Sequence, residues 1–276
     1  MTREGGGNTA LFLVRRTDPS PVRNNYRKLW LGAIVSSIAP SPVPAKTAKG
    51  NSMRAILGLL SRNKGFLTFM LCMVVFRSAV ADWNVVPTGS MQPTIRIGDR
   101  ILVDKAAYDL RVPFTHISLV HRADPQRGDI VVLDSTGANE RLVKRVIGVP
   151  GDEIALQQNH LYVNGRPASY EPIAVQGIRD DREDPARYAM ESVGAMHHLV
   201  RWSIAQAGHT SDFGPVIVPP GQYLLLGDNR DNSADSRYFG YFPRHEITGR
   251  ATRVAVSLDP GNHYLPRSDR WGAALQ

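Results

Sequence analysis

The hydrophobic residues of this chain form one long run near residue 70 and many short runs after it. Residues 65–81 contain a single charged side chain, Arg77, and predict an apolar helix. Beyond Trp83 the apolar stretches are short and rich in branched and aromatic residues, which is typical of β-strands. We expect strands at 95–97, 100–103, 130–133, 142–147, 160–163, 216–218, 223–226 and 253–258. The pattern therefore predicts a mainly β chain preceded by one apolar helix.

Turn signals divide the β part of the chain into three portions. Asn164-Gly165 follows a predicted strand and is a strong hairpin turn signal. The next fifty residues are more polar, and 188–193 and 197–202 are expected to form a second hairpin. We therefore expect a first core portion at 84–165, an insertion at 166–215, and a second core portion with a C-terminal tail at 216–276.

The N-terminal part differs in composition from the rest. Residues 1–52 contain several prolines and glycines and keep neither a helical nor a strand period, so we expect a mostly disordered tail. The apolar patch at 29–39 is too short to span a bilayer. Met53 directly precedes the basic and apolar stretch, so translation starting there rather than at Met1 is an open alternative.

Charge is distributed unevenly along the 276 residues. The chain has 33 Lys and Arg against 25 Asp and Glu, a formal net charge of +8, and the basic excess lies before residue 65. A nucleic-acid-binding protein would place such an excess on its folded domain among aromatic residues, so we expect no nucleic-acid partner. The asymmetry indicates a basic flank beside a lipid bilayer.

Residues 53–83 fit such a flank followed by a transmembrane anchor. A bilayer needs about 20 apolar residues, and 65–81 approaches that length when the interfacial Trp83 is included. Basic residues before the run would hold its first end in the cytoplasm and place the β part outside; they are Arg54, Arg62 and Lys64. The alternative is a cleavable export signal, because residues 79–81, Ala-Val-Ala, have the small-x-small form of a cleavage site.

The cysteine and histidine content argues against a metal site. Cys72 is the only cysteine, so neither an intramolecular disulfide nor a cysteine-based metal cage can form. The eight histidines do not form an H-E-x-x-H pattern. We expect no metal.

The segment from Pro87 to Thr94 places Ser90 in a glycine-containing turn just after the apolar run. A serine hydroxyl is a nucleophile only when a neighbouring base takes its proton. The candidate base is Lys144, which must be neutral to act and therefore must be buried to lower its ordinary pKa of about 10.4. Lys144 alternates with Leu142 and Val146 along its strand, while Arg145 occupies the other face. The pattern does not decide which basic residue lies inside, and a solvated edge charge is the alternative for Lys144.

A dense polar run at 227–237 directly follows the apolar strand at 223–226. A calcium loop counted from Asp228 would require Asp or Asn at its third position and glycine at its sixth, where the chain has Arg230 and Ser233. The calcium interpretation therefore fails. The remaining alternatives are a loop that orients a functional group and a solvated turn stabilised by side-chain to backbone bonds.

Together these segments resemble the type I signal peptidases, a family of membrane-anchored serine proteases. The resemblance covers residues 83–258. Its motifs are the serine segment 87–94, Gly98-Asp99, Arg127-Gly128-Asp129, Lys144-Arg145, residues 148–152 and the polar run 227–237. It implies a mainly antiparallel β catalytic core with a smaller β insertion, preceded by an N-terminal transmembrane helix, and no cofactor.

The resemblance also implies a role for each motif residue. Ser90 would be the nucleophile and Lys144 the general base. The backbone N–H of Ser90 and the hydroxyl of Thr88 would bind the oxyanion; many family members have serine at the Thr88 position. Ser233 would orient the lysine amine, with Asp235 and Arg237 as a supporting ion pair. The implied substrate-binding residues are Val85, Val86, Pro87, Met91, Leu142 and Val143.

The implied activity is removal of signal peptides from exported preproteins by cleavage after an Ala-x-Ala site. The implied location is the bacterial inner membrane, with a single pass and the catalytic domain on the periplasmic side. A specialised peptidase with a dedicated secreted or pilin-like substrate stays open as an alternative. A membrane-anchored β domain that binds exported peptides without cutting them is the other.

Overall fold

The computed structural model of the chain describes residues 62–115, 117–174, 185–204 and 211–275. The expectations for residues 1–52, the patch at 29–39 and the choice between Met1 and Met53 lie outside these residues. The helices are α1 (Lys64–Ala79) and α2 (Ser236–Phe239), and short 3₁₀ turns lie at Arg230–Asn232, Arg244–Glu246, Pro260–Asn262 and Ser268–Arg270. The strands are β1 (Ala81–Val85), β2 (Asp99–Asp104), β3 (Asp109–Arg111), β4 (Ser118–His121), β5 (Ile130–Ser135), β6 (Glu140–Gly148), β7 (Glu153–Gln157), β8 (His160–Val163), β9 (Arg166–Pro167), β10 (Ser169–Pro172), β11 (Ala186–Val193), β12 (Met196–Ser203), β13 (Phe213–Ile217), β14 (Gln222–Leu226), β15 (Phe242–Pro243), β16 (Ile247–Asp259) and β17 (Leu265–Pro266).

Helix α1 occupies most of the apolar run and has 16 residues. Its large apolar side chains are exposed, with Phe66 at 63% and Leu71 at 64%. The N–H of Val80 bonds to the carbonyl of Phe76 at 2.8 Å and closes the last turn. Among the described residues, α1 included, no helix is both long enough and apolar enough to cross a membrane.

The largest sheet has the strand order β1-β2-β16-β5-β6-β14-β15, with β17 paired to β16. Its neighbouring strands are antiparallel, and the 13-residue β16 pairs with both β2 and β5. Ile130 to Leu133 on β5 are all buried, so this strand is covered on both faces. The prediction of a mainly antiparallel β chain is confirmed.

The smaller sheets follow the turn signals. Asn164 and Gly165 both have positive φ, 52° and 74°, and join β8 to β9 in the sheet ordered β13-β7-β8-β9. Strands β11 and β12 form the second predicted hairpin and pair with β10. The segment 166–215 thus contributes to two sheets. Strands β10, β11 and β12 form one of them, while β9 and β13 pair with β8 and β7 in the other. The domain limits drawn from the sequence stay a prediction.

The predicted strand at 95–97 is wrong. The N–H of Ile95 bonds to the carbonyl of Met91 at 2.9 Å, and the carboxylate of Asp99 accepts the N–H of Arg96 at 2.9 Å, so the segment folds into turns. Gly98 has φ of +88°, and a Cβ there would collide with the carbonyl of Leu258. The chain therefore enters β2 only at Asp99, although Ile95 is buried as an apolar strand residue would be.

Candidate active site

The turn that carries Ser90 connects β1 to β2 and packs on the main sheet. Val86, Met91 and Ile95 are buried in one cluster with Ile130 and Val132 of β5, and this cluster anchors the turn. The N–H of Gln92 bonds to the carbonyl of Gly89 at 3.2 Å across the turn. Ser90 itself is half-buried. The apolar residues on either side of it thus fix the backbone, while Ser90 keeps part of its surface exposed.

Lys144 lies in the middle of β6, opposite Val131 of β5, and is only 3% exposed. Its amine Nζ lies 2.8 Å from the Oγ of Ser90 and donates a hydrogen bond to it. The pKa of this amine is lowered from 10.5 to about 8, chiefly by burial and to a smaller extent by the nearby Arg237, against the opposing effects of Asp235, Glu140 and Asp228. The structure therefore brings together the two residues that the sequence suggested as nucleophile and base.

The loop 227–237 begins beside Lys144, because β14 ends at Leu226 opposite Arg145. Asp235 and Arg237 form a bidentate ion pair with both contacts at 2.8 Å, and the Gly227 N–H donates to Asp235 at 3.0 Å. Burial alone would raise the pKa of the Asp235 carboxyl, but Arg237, the Gly227 N–H and the Ser233 hydroxyl together outweigh burial and lower it. The predicted supporting pair is therefore present and ionised.

Gly227 and Ser233 lie against the serine turn. A Cβ on Gly227 would lie 2.5 Å from the carbonyl oxygen of Ser90 and would also collide with the Ser233 hydroxyl, so only glycine fits there. Ser233 is buried, and its hydroxyl lies close enough to the Asp235 carboxylate to help lower the pKa of that carboxyl. The structure thus places Ser233 in the site without a hydrogen bond to Lys144.

Arg145 was not singled out as a site residue, yet it is as buried as Lys144. Its guanidinium makes two 2.8 Å contacts with Asp228 and donates to the carbonyl of Gly128 at 2.8 Å. The Thr94 hydroxyl donates to the same Asp228 carboxylate at 2.5 Å. Asp228 thereby ties the serine turn to the lysine strand. The sequence signal that could have revealed this was the basic pair Lys144-Arg145 within an apolar strand.

Asn229, the next residue, holds the serine turn directly. Its side chain donates to the carbonyl of Gly89 at 3.0 Å, and its backbone N–H donates to the carbonyl of Ser90 at 3.0 Å. Asn229 is fully buried. The loop therefore holds the backbone of the serine turn by hydrogen bonds to the carbonyls of Gly89 and Ser90.

The remaining predicted residues occupy two environments. Val85, Pro87 and Thr88 are exposed along the chain that leads into the serine turn. Val86 and Met91 are buried beneath that turn with Val143 packed beside them, whereas Leu142 is buried in a different cluster with Val131 and Val146. Leu142 is therefore the one predicted substrate-binding residue that does not pack with the serine turn. In the described residues no three His, Cys, Asp or Glu side chains are grouped to hold a metal ion.

An amine with a pKa near 8 is partly neutral at neutral pH and can accept a proton from the hydroxyl that it contacts. Combined with the antiparallel β fold, this geometry fits the class of serine hydrolases in which a lysine, rather than a histidine, stands beside the serine.

Comparison with known proteins identifies the family. Residues 60–256 match Signal peptidase, peptidase S26. The chain is 33% and 34% identical over 227 residues to Signal peptidase I of Pseudomonas fluorescens and of Pseudomonas aeruginosa, covering 78% of both chains in each case. It is 33% identical over 192 residues to Signal peptidase I of Bacillus amyloliquefaciens, covering 69% of this chain and 84% of that one. A solved structure of a signal peptidase I from Enterococcus faecalis, 29% identical, matches 47% of this chain and 98% of its own with a TM-score of 0.29. The chain belongs to the signal peptidase family, peptidase S26, and is a serine endopeptidase.

Proposed function

We propose that this chain removes N-terminal signal peptides from exported preproteins, cutting after a small-x-small site such as Ala-x-Ala by means of a Ser90–Lys144 dyad. The observation that carries the proposal is the 2.8 Å contact between a half-buried serine hydroxyl and a buried lysine amine whose pKa is lowered to about 8. The family membership supplies the substrate class. No cofactor enters the mechanism.

In the proposed mechanism the Ser90 Oγ attacks the scissile carbonyl while its proton passes to neutral Lys144. The resulting oxyanion accepts hydrogen bonds from the Ser90 N–H and the Thr88 hydroxyl; losing one such donor typically costs about 3 to 4 kcal/mol. When the C–N bond breaks, the lysine ammonium gives its proton to the leaving amine. Water, activated by the same lysine, then hydrolyses the acyl-enzyme and releases the signal peptide.

Three residues of the loop 227–237 support this chemistry in the proposal. The buried Asp235–Arg237 pair keeps the loop rigid beside the amine. Ser233 has a buried hydroxyl beside the serine turn and the Asp235 carboxylate, so it is suited to orient the Lys144 amine once substrate is bound.

The substrate is proposed to lie extended between the end of β1 and β6, where main-chain hydrogen bonds align it. Val85 and Pro87 would contact it directly because they are exposed beside the serine turn. Val86, Met91 and Val143 would form the floor that admits only small side chains, with Leu142 further along the same strand. A shallow apolar floor favours alanine on either side of a variable residue.

Residues 53–83 are proposed to anchor the chain by a single pass in the bacterial inner membrane, with the β part on the periplasmic side. The exposed apolar side chains of α1 and the basic residues Arg62 and Lys64 before it support this arrangement. Residues 84–165 and 216–276 would form the catalytic core and 166–215 the insertion.

The test is incubation of the detergent-solubilised protein, and of its Ser90→Ala variant, with a preprotein that carries an Ala-x-Ala site, followed by mass spectrometry of the products. We expect cleavage after the second alanine by the parent and none by the variant. Cleavage by both would refute the nucleophile assignment. Cleavage by neither, with both proteins folded, would favour a dedicated substrate or peptide binding without catalysis.

A further inference from the structure

The hairpin β11–β12 carries a carboxylate that is out of contact with solvent. Glu191 on β11 stands directly opposite His198 on β12, and the two residues are 0% and 3% exposed. The Glu191 carboxylate accepts a hydrogen bond from the Arg230 guanidinium at 2.5 Å and another from the Tyr170 hydroxyl at 2.6 Å. A charge is rarely buried so completely unless it is paired, and here the pairing joins the hairpin to the loop 227–237.

Arg230 depends on Glu191 for its pairing. The other two guanidinium nitrogens of Arg230, Nε and Nη1, have no hydrogen-bond partner within the described residues. Burial would raise the pKa of the Glu191 carboxyl, but the charge of Arg230 and the hydrogen bonds from Arg230 and Tyr170 are among the contacts that together lower it, so the carboxylate is ionised at neutral pH. Neutralising Glu191 would therefore leave a buried cation without a counter-charge at that end of the loop.

His198 does not replace that counter-charge. Burial and the charge of Arg145 lower the pKa of His198 to about 4, so its ring is neutral at neutral pH. Its Nε2 lies 3.4 Å from Glu191 and 3.8 Å from Asp228. The neutral imidazole thus lies near the carboxylates of Glu191 and Asp228 without neutralising the charge of either.

Arg230 directly follows the two residues that hold the catalytic pair together. Asp228 binds Arg145 beside Lys144, and Asn229 binds the backbone of Gly89 and Ser90. A second contact runs from the hairpin to the same point, because the N–H of Arg201 on β12 donates to the carbonyl of Asp228 at 2.9 Å. The hairpin therefore contacts the segment 228–230 at both ends, through Arg201 and Glu191.

We propose that Glu191 is a positioning residue for the Ser90–Lys144 pair, acting through Arg230 and the loop that grips the serine turn. Under this proposal the polar insertion hairpin contributes to the rate of peptide cleavage, although it contributes no group that touches the substrate. The inference rests on the proposed function, since the pair it positions is the proposed catalytic dyad.

The test compares the detergent-solubilised full-length parent with its Glu191→Gln variant, which keeps the shape of the side chain but removes its charge. Because displacement of a catalytic group by a distant change can cost up to about 100-fold in rate, we expect kcat to fall by roughly 10-fold to 100-fold. KM should stay within about twofold, since the substrate contacts are untouched. The matched control is Glu171→Gln, at the exposed position next to Tyr170 on β10, and it should behave as the parent.

A second readout separates positioning from a structural role. The charged groups that face Lys144 are Asp235, Glu140, Arg237 and Asp228, and all of them remain in the variant. If the loop loosens, water reaches the amine and the lysine is easier to protonate, so the acid limb of kcat/KM should move to higher pH. A residue that matters only for folding would lower the melting temperature without moving this limb.

An unchanged kcat and an unchanged pH profile in folded Glu191→Gln would overturn the proposal while leaving the proposed function intact. If the parent itself fails to cleave, it is the proposed function that fails. Should Glu191→Gln not fold, Tyr170→Phe is the second variant, because it removes the hydroxyl that donates to Glu191. The same hydroxyl accepts the N–H of Leu161, so the pH shift rather than the stability of this variant decides the matter. We then expect a fall in kcat of about threefold with the same direction of pH shift, and parent-like values would overturn the proposal.

Discussion

Replacing Lys144 with methionine is expected to make the protein inactive and more stable. The two side chains are both long and unbranched, but only lysine carries a titratable amine into a site that is 3% exposed. Lowering the pKa from 10.5 to about 8 means that burying the protonated amine costs about 3 kcal/mol at neutral pH. The hydrogen bond from Lys144 to Ser90 returns about 1 kcal/mol of this. The Lys144→Met variant should therefore gain about 2 kcal/mol of unfolding free energy at pH 7.

The gain should disappear as the pH rises. The folded-state pKa lies below the unfolded value, so between about pH 8 and pH 10.5 the unfolded chain binds more protons at this residue than the folded chain does. The parent is therefore stabilised as the pH rises through this window, relative to the variant that has no amine. The two proteins should converge near pH 10.5, apart from the constant difference between methionine and neutral lysine.

The assay is thermal denaturation of both detergent-solubilised proteins from pH 7 to pH 10.5. For a folded part of this size, about 2 kcal/mol corresponds to roughly 4 to 8 °C in melting temperature. Ser90→Ala is the matched control, because it removes the same hydrogen bond but keeps the amine, and it should follow the pH dependence of the parent. A Lys144→Met variant that is less stable than the parent at pH 7, or a difference that does not change with pH, would refute the burial argument.

Lys144→Arg should abolish cleavage with the β circular dichroism spectrum retained, because arginine keeps the charge but cannot act as a base; an active variant would remove Lys144 from the role of base. The parent kcat/KM should rise about tenfold from pH 7 to pH 9, since a lysine with pKa about 8 is neutral in only about a tenth of molecules at pH 7. A flat profile from pH 5 to pH 9 would contradict that assignment. Asp228→Asn should lower the unfolding free energy by about 3 to 5 kcal/mol because Arg145 stays buried without a carboxylate, and a parent-like denaturation midpoint would show that this pair contributes little.

Short-range patterns predicted much of the fold. Most branched apolar runs are strands because their backbones pair with a neighbouring strand, as β8 pairs with β7. The error at 95–97 has the opposite cause. Ile95 is buried as a strand residue would be, but the hydrogen bonds of Asp99 and the left-handed Gly98 close a turn there. Burial of an isoleucine does not distinguish these two backbones.

The site was less accessible to sequence reasoning. Ser90 and Lys144 are 54 positions apart, and their contact depends on the packing of the serine turn on β5 and β6. The residue pattern offered Lys144 as a candidate base but left a solvated edge charge open, and the family resemblance favoured the pair. Glu191 and His198 lie in a polar stretch that reads as solvated, because their burial depends on residues from distant parts of the chain. A charged residue is predicted to be exposed unless its partner is known, and Arg145 and Arg230 were missed for this reason.

The charges around Lys144 explain how one site can be both polar and suited to a neutral amine. An unpaired carboxylate at the position of Asp235 would favour the protonated lysine and remove the base at neutral pH. Arg237 binds both oxygens of that carboxylate, and its positive charge itself lowers the pKa of Lys144. Arg145 likewise binds both carboxylate oxygens of Asp228. The two buried acids near the amine, Asp228 and Asp235, therefore each carry an arginine, while the third, Glu140, is exposed. The loop can thus hold the serine turn with buried polar groups while burial still lowers the pKa of the lysine.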